Sequence, residues 1–259
     1  MYEMNTKARL CMKQSSWTIV SNEPIAWRTY RMVLRGDTSD ICPGQFVEVA
    51  VPNYYLRRPI SVCDIEGDLL ILIYKVVGEG TAAMAAMKTG TELDILTGLG
   101  NGYDLSMAGD EVLLVGGGVG VPPLMYAAKD IRNQGKQVRV VLGFNSKREV
   151  FGEEEFRRLG CEVDVCTMDG SYGTKGVVTD LLVSSFKVQG SRPFYYACGP
   201  VPMLKALTET IGTNGQISME ERMGCGVGLC VGCSIQTRQG IKRVCKEGPV
   251  FNAGEIIWK

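Results

Sequence analysis

The chain has 259 residues, enough to bury a substantial core and form two folded domains with a small module beside them. Lys plus Arg and Asp plus Glu number 28 each, so the formal charge is zero, which removes the electrostatic case for nucleic acid or an anionic membrane as the main partner. Histidine is absent, which excludes Ser-His-Asp and Cys-His nucleophile systems, His-ligated zinc catalysis and Rieske-type clusters, so any chemistry must come mostly from cofactors.

No apolar run approaches the ~20 residues of a membrane-spanning helix. The opening MYEMNTKARLCMKQSS has no hydrophobic segment of signal-peptide type, and the expectation is a soluble, cytoplasmic protein. Ten cysteines in that setting point to reduced thiols and metal ligation. Cys11, Cys42, Cys63, Cys161 and Cys166 sit among apolar or strand-like neighbours and are expected to be small core hydrophobes.

Residues 17–51 read as short strands with a turn at Asp37–Pro43, and GQFVEVAV alternates as a half-buried strand would. Such a meander predicts an antiparallel barrel. In YYLRRPISV, residues 54–62, a basic pair fixed by proline enters a strand carrying Ser61; the arginine fork suits a pyrophosphate, and a basic surface turn before an edge strand is the alternative. The strand in LLILIYKVVGEG, residues 69–80, ends in glycines before Thr81, which reads as a helix N-cap whose N–H groups suit a second anionic group. TELDILTGLGNGYD, residues 91–104, forms another strand and a glycine-rich loop, with a domain boundary expected near Ser106.

From Asp110 the pattern becomes strand, glycine loop, helix. A buried strand at Val112–Val115 leads to a loop at Gly116–Val121 and a helix from about Pro122 that Gly135 ends. Strands at 137–144 and in EVDVCTM, with a helix at EEEFRRLG between them, predict a parallel, doubly wound sheet that binds ligands at the strands' carboxyl ends. The loop reads G-x-G-x-x-P at Gly118–Pro123, glycines standing where a pyrophosphate approaches and proline where a helix needs no N–H partner. PFYYACGP is a further strand, placing Cys198 at a carboxyl end; near a nicotinamide, or simply capping the strand, are its two readings.

The tail SMEERMGCGVGLCVGCSIQTRQGIKRVC places Cys225, Cys230 and Cys233 at C-x4-C-x2-C spacing and adds Cys245, the ligand pattern of a plant-type [2Fe-2S] cluster. Gly224, Gly226, Gly228 and Gly232 alternate with the ligands, letting backbone wrap closely and aim N–H groups at sulfur. Zinc, which usually takes two C-x2-C pairs, and a disulfide are the alternatives.

Barrel, R-P-I-S segment, G-x-G-x-x-P loop, C-G-P strand end and C-x4-C-x2-C-x11-C tail together resemble the ferredoxin–NADP reductase superfamily. More narrowly they resemble the electron-transfer subunits of dihydroorotate dehydrogenase B, most specifically in ERMGCGVGLC, LRRPISV and GGGVGVPPL. The resemblance implies that Arg58, Pro59, Ile60 and Ser61 line FAD with Ile73, Tyr74 and Lys75, and that Gly80 and Thr81 meet its diphosphate. It implies that Gly117, Gly118 and Gly120 face NADH, with Cys198, Gly199 and Pro200 near its nicotinamide, and that the four tail cysteines hold the cluster. The fold expected is α/β plus β-barrel: an FAD-binding barrel over 1–106, an NAD-binding α/β domain over 107–215 and a [2Fe-2S] module over 216–259. The implied partner is an FMN-containing catalytic subunit that oxidises dihydroorotate, two of each chain forming a heterotetramer. Ile60 stands where many reductases of the superfamily carry tyrosine, and Lys147 with Arg148 offers a place for a 2′-phosphate. A stand-alone or bifurcating-complex NAD(P)H reductase subunit and a zinc-stabilised, non-enzymatic binding module are the competing readings.

Overall fold

The computed structural model describes residues 12–189 and 193–258, so Cys11 lies outside the described residues. Strands β1 (Lys13–Ala26), β2 (Thr29–Arg35), β3 (Phe46–Val49), β4 (Arg58–Glu66), β5 (Leu69–Lys75) and β6 (Glu92–Leu99) close into an antiparallel barrel in the order β1-β2-β5-β4-β3-β6. Alternation sends Trp17, Met32, Leu34, Leu72 and Ile95 into its core. The expectation of a half-buried β3 is corrected: all four of its residues are buried. Val47 and Val49 fill the barrel, while Phe46 joins a second core outside it, so neither face meets water.

Between β5 and β6 lies α1 (Glu79–Ala85), whose N-cap is Gly78, not Thr81 as expected. Thr81 stands at the third helical position, and its hydroxyl accepts from the Val77 and Gly78 N–H groups at 3.0 and 3.2 Å. The side chain does reach the helix start, but from inside the first turn.

The second unit runs β7 (Glu111–Gly117), α2 (Pro122–Asn133), β8 (Gln137–Phe144), α3 (Glu153–Arg158), β9 (Glu162–Thr167), β10 (Thr174–Lys175), α4 (Val178–Gln189), β11 (Phe194–Cys198), α5 (Val201–Ile211) and β12 (Gly215–Ser218). The tail adds a hairpin of β13 (Ser234–Thr237) and β14 (Gly240–Arg243), then β15 (Val250–Asn252). The large sheet has the order β10-β9-β8-β7-β11-β12-β15, parallel from β10 to β12, with β15 antiparallel at the edge. Side chains of α2 and α3 pack into one core and those of α4 and α5 into the other. Chain order runs outward in both directions from β7, so a crevice opens where β7 and β11 end. No helix among the described residues is long and apolar enough to cross a membrane.

Both units share cores rather than merely touching. Val33, Cys63, Ile71 and Ile73 on the outer barrel face pack with Met125 and Phe151. At the β1–β2 turn the Trp27 N–H donates to the Arg148 carbonyl at 2.8 Å, and the Arg148 guanidinium lies over the indole at 4.2 Å. Lys75 Nζ pairs with Glu149 Oε2 at 3.1 Å, side chains 23% and 9% exposed, and Asn145 donates to the same oxygen. Glu149→Gln therefore leaves a half-buried ammonium without its carboxylate, and the substitution should cost about 1–3 kcal/mol in urea unfolding of the cofactor-free chain. An unchanged midpoint would contradict this.

Candidate functional site

The four tail cysteines form two thiol pairs, and among the described residues no three or more metal-ligating side chains converge on one point. Cys233 and Cys245, both buried, have sulfurs 3.2 Å apart. Cys225, half-buried, accepts from the N–H groups of Leu229 and Cys230 at 3.3 and 3.4 Å and from the Cys230 thiol. Cβ atoms placed on Gly224 and Gly232 would stand 3.4 and 3.6 Å from Cys230 Sγ, an ordinary van der Waals distance, so both glycines lie beside that sulfur. Gly226 and Gly228 take φ values of +66° and +82°, the left-handed region that lets the loop reverse between ligands.

Their electrostatics differ. Burial opposes ionising Cys225, but the N–H groups of Cys230, Val227 and Leu229, with the Cys230 thiol, outweigh it and bring the group down to about 6. Burial, then the neighbouring Cys233 sulfur, pushes Cys245 up to about 12. Arg243 braces the loop by donating to the Gly228 carbonyl at 2.6 Å, and Glu247 accepts from the Arg243 backbone N–H and Nε. That guanidinium holds the Glu247 carboxyl at about 2. An all-sulfur donor set in two pairs, with N–H groups already aimed at sulfur, fits the two irons of a [2Fe-2S] group.

The R-P-I-S segment lies along the start of β4, where Arg58, Pro59, Ile60 and Ser61 pair with Val49, Glu48, Val47 and Phe46 of β3. Structure separates the two arginines. Arg57 is tied to Asp94 Oδ2 at 2.5 Å and to the Asp94 carbonyl at 2.9 Å, whereas Arg58 makes no ion pair among the described residues. The Arg58 guanidinium stacks on Tyr54 at 5.0 Å and covers Gly80, where a Cβ would stand 2.5 Å from its Cζ. Arg58, Gly80 and Thr81 thus come together at the start of α1. Ser61 is half-buried on the outer face and Pro59 is exposed, while Ile60 packs against the barrel core. Ile73 belongs to the interdomain core; Tyr74 is buried inside the barrel, its hydroxyl donating to Asn22 at 2.9 Å. Lys75 spends its side chain on Glu149.

At the crevice, glycines and the C-G-P corner are in direct contact. A Cβ on Gly120 would stand 2.5 Å from the Gly199 nitrogen, and one on Gly117 2.5 Å from Met203 Sδ and 3.1 Å from Pro200 Cδ. Gly118, at φ +53°, faces open space. Burial pushes the Cys198 thiol up to about 12, against a hydrogen bond with Ser218, so at neutral pH this corner presents an uncharged sulfur. Lys147 and Arg148 are exposed beside Trp27 and Tyr172, Arg148 stacked on the indole.

Four contributors carried little signal in sequence. Asn101 donates to the Glu247 and Val250 carbonyls at 3.2 and 2.7 Å and accepts from the Val250 N–H, latching the tail to the barrel's glycine loop. Arg243 and Glu247 stand at an i, i+4 spacing, the one local cue among these. Glu48 is a lone carboxyl in an apolar run, pushed up to about 7 by burial. Of the five other cysteines, Cys63, Cys161 and Cys166 are buried. The expectation that Cys42 is a core residue is corrected: it is exposed, at a turn where its N–H donates to Gln45 Oε1 at 3.0 Å.

In metal-free protein, Cys225 should be the fastest of the four thiols to react with iodoacetamide at pH 7, its rate rising through an inflection near pH 6 as the thiolate forms, while Cys245 stays inert. Peptide mass spectrometry across pH checks the order; equal rates at the two positions would refute it.

Residues 220–257 match the iron–sulfur cluster binding domain of dihydroorotate dehydrogenase B, and residues 114–209 match the oxidoreductase NAD-binding domain. The dihydroorotate dehydrogenase B (NAD(+)) electron transfer subunit of Fusobacterium nucleatum subsp. nucleatum is 45% identical over 95% of this chain and 99% of its own. The subunit of the same name from Shouchella clausii is 44% identical over 95% of this chain and 98% of its own. The solved structure of an NADH-dependent reduced ferredoxin–NADP oxidoreductase, described in connection with flavin-based electron bifurcation, is 31% identical, superimposes with a TM-score of 0.85, and matches over 93% of this chain and 90% of its own. With identity at that level along nearly its whole length, the chain belongs to the family of dihydroorotate dehydrogenase B electron transfer subunits.

Proposed function

We propose that this chain takes electrons from NADH at the β7–β11 crevice and passes them, by way of FAD on the barrel and a [2Fe-2S] cluster on the tail, to the FMN of a separate catalytic subunit that oxidises dihydroorotate to orotate. Bound FAD would supply the exchange between hydride pairs and the single electrons that the cluster accepts. The observation that carries the reading is the pair of thiol pairs, seated in a loop against the barrel strand that neighbours the R-P-I-S segment.

Each group of residues then has a task. Arg58, which makes no ion pair among the described residues, would meet the flavin diphosphate over Gly80, while Arg57 holds β6 through Asp94. Tyr74 and Lys75 would offer backbone, since their side chains are engaged by Asn22 and Glu149. Gly117, Gly118 and Gly120 would let the dinucleotide approach, and Cys198, Gly199 and Pro200 would form an uncharged wall for the nicotinamide. Cys230 is exposed between Leu229 and Val231, which are 83% and 59% exposed, so the cluster end offers a small apolar face to the catalytic partner. The domain limits 1–106, 107–215 and 216–259 serve as working units; the 215/216 limit falls inside β12, and β15 of the tail pairs with that strand. A stand-alone or bifurcating reductase is the weaker reading, because identity to the solved bifurcation-linked enzyme is lower than to the family named above.

Cys230→Ser tests the order of carriers. NADH should still bleach the flavin at the wild-type rate, while reduction of the partner's FMN falls by roughly tenfold or more. Undiminished delivery in a variant shown to lack iron and sulfide would overturn the route. Gly120→Ala, whose new methyl meets the backbone of Cys198–Gly199, should raise the KM for NADH by about tenfold or more with flavin content unchanged. Dye-linked NADH oxidation measures it, and an unaltered KM would remove the glycine loop from the NADH site.

A further inference from the structure

The barrel carries a carboxyl that neither the fold nor the carrier sequence accounts for. Glu48 is 2% exposed, and among the described residues its carboxyl makes no hydrogen bond and no ion pair. Its position is specific. Glu48 stands opposite Pro59 in the β3–β4 ladder and opposite Leu96 in the β3–β6 ladder. Side chains directly opposite each other in an antiparallel pair share one face, with Cβ atoms roughly 4.5–5.5 Å apart, so Glu48 and Pro59 stand side by side on the outside of the barrel. On that face the side chain abuts the residue that follows Cys225: a Cβ on Gly226 would stand 2.7 Å from Glu48 Cγ and 2.8 Å from Cδ. Gly226 is buried and at φ +66°, so its backbone has been brought down onto the carboxyl as far as atoms permit.

We propose that Glu48 is a positioning residue for electron transfer: its side chain is the spacer that seats the Cys225 loop on the barrel strand paired with the R-P-I-S segment. The inference rests on the carrier order of the preceding section. In the step it serves, one electron leaves the reduced flavin and one enters the oxidised cluster, and no bond forms or breaks at Glu48. Residue length, not charge, does the seating, because nothing on the loop pairs with the carboxyl. An alanine leaves a void beneath Gly226 into which the loop can settle; a glutamine keeps the shape.

The test compares Glu48→Ala and Glu48→Gln with wild type by two readouts. In metal-free chains, amide hydrogen exchange across residues 224–230 should speed up by roughly tenfold in Glu48→Ala and stay within about twofold of wild type in Glu48→Gln. In reconstituted protein, stopped-flow mixing with NADH should show flavin bleaching unchanged in both variants and cluster reduction slowed by about tenfold or more in Glu48→Ala alone. The electron paramagnetic resonance signal of the reduced cluster should keep its line shape in Glu48→Gln. Wild-type exchange and electron-transfer rates in Glu48→Ala would overturn the proposal, and so would a Glu48→Gln variant that falls as far as Glu48→Ala, since that would assign the effect to charge. Should Glu48→Ala fail to hold a cluster, the metal-free exchange measurement still decides. A wild-type cluster that NADH cannot reduce would instead undo the carrier order, leaving the exchange result to stand by itself.

Discussion

The cluster segment has no core of its own, and much of the molecule answers that constraint. About forty residues containing a loop of glycines and cysteines bury too little apolar surface to hold a fixed shape. Here the deficit is met by two neighbours at once. Val244, Cys233 and Cys245 pack with Phe46 and Leu99 of the barrel and with Phe251, Leu204 and Leu207 on the sheet side. β15 completes the sheet edge beside β12, and the Asn101 side chain holds both the N–H and the carbonyl of Val250. The ligand loop is therefore carried by a frame that was folded for other reasons.

The same constraint explains why β3 breaks the pattern of an ordinary barrel strand. A strand with one wet face would present alternate polar residues, and the single carboxyl of Phe46–Val49 invites that reading. Because the tail lies over the outer face, Phe46 and Glu48 are as buried as Val47 and Val49. Burial of that carboxyl raises its affinity for protons, with the nearby Cys225 adding to the effect and Arg57 and Arg58 opposing it.

Legibility from sequence followed the range of each interaction. Local patterns were sufficient for the glycine loop and the helix from Pro122, for the parallel strand at Gln137–Phe144, and for the cysteine spacing, since each is set by neighbours a few residues apart. The edge strand Thr174–Lys175 and the helix Val178–Gln189 followed no such motif, and the pairing of β15 with β12 spans more than thirty positions of chain. Thr81 was placed at the right turn but the wrong position, because glycine at Gly78 supplied the extended conformation while the threonine hydroxyl bonded backward from inside the helix. Cys42 looked apolar by its neighbours and turned out exposed, because a turn residue's side chain is aimed by the turn and not by the hydrophobicity around it.

Four basic groups of the barrel and its neighbouring sheet unit are used in different ways. Arg57 and Arg58 make their contacts within the barrel unit, while Lys75 and Arg148 cross between barrel and sheet unit. Arg57 is bound by Asp94 and Lys75 by Glu149, while Arg148 lies on Trp27, so each of these three joins one structural element to another. Among the described residues, Arg58 is held by the Tyr54 ring and by backbone carbonyls of its own turn, which orient a guanidinium without neutralising it. A charge kept in place but left uncompensated is stable only where water or an anionic ligand completes it. Of the two adjacent arginines that sequence presents as equals, the fold thus uses one as a strut and leaves the other's charge unpaired among the described residues.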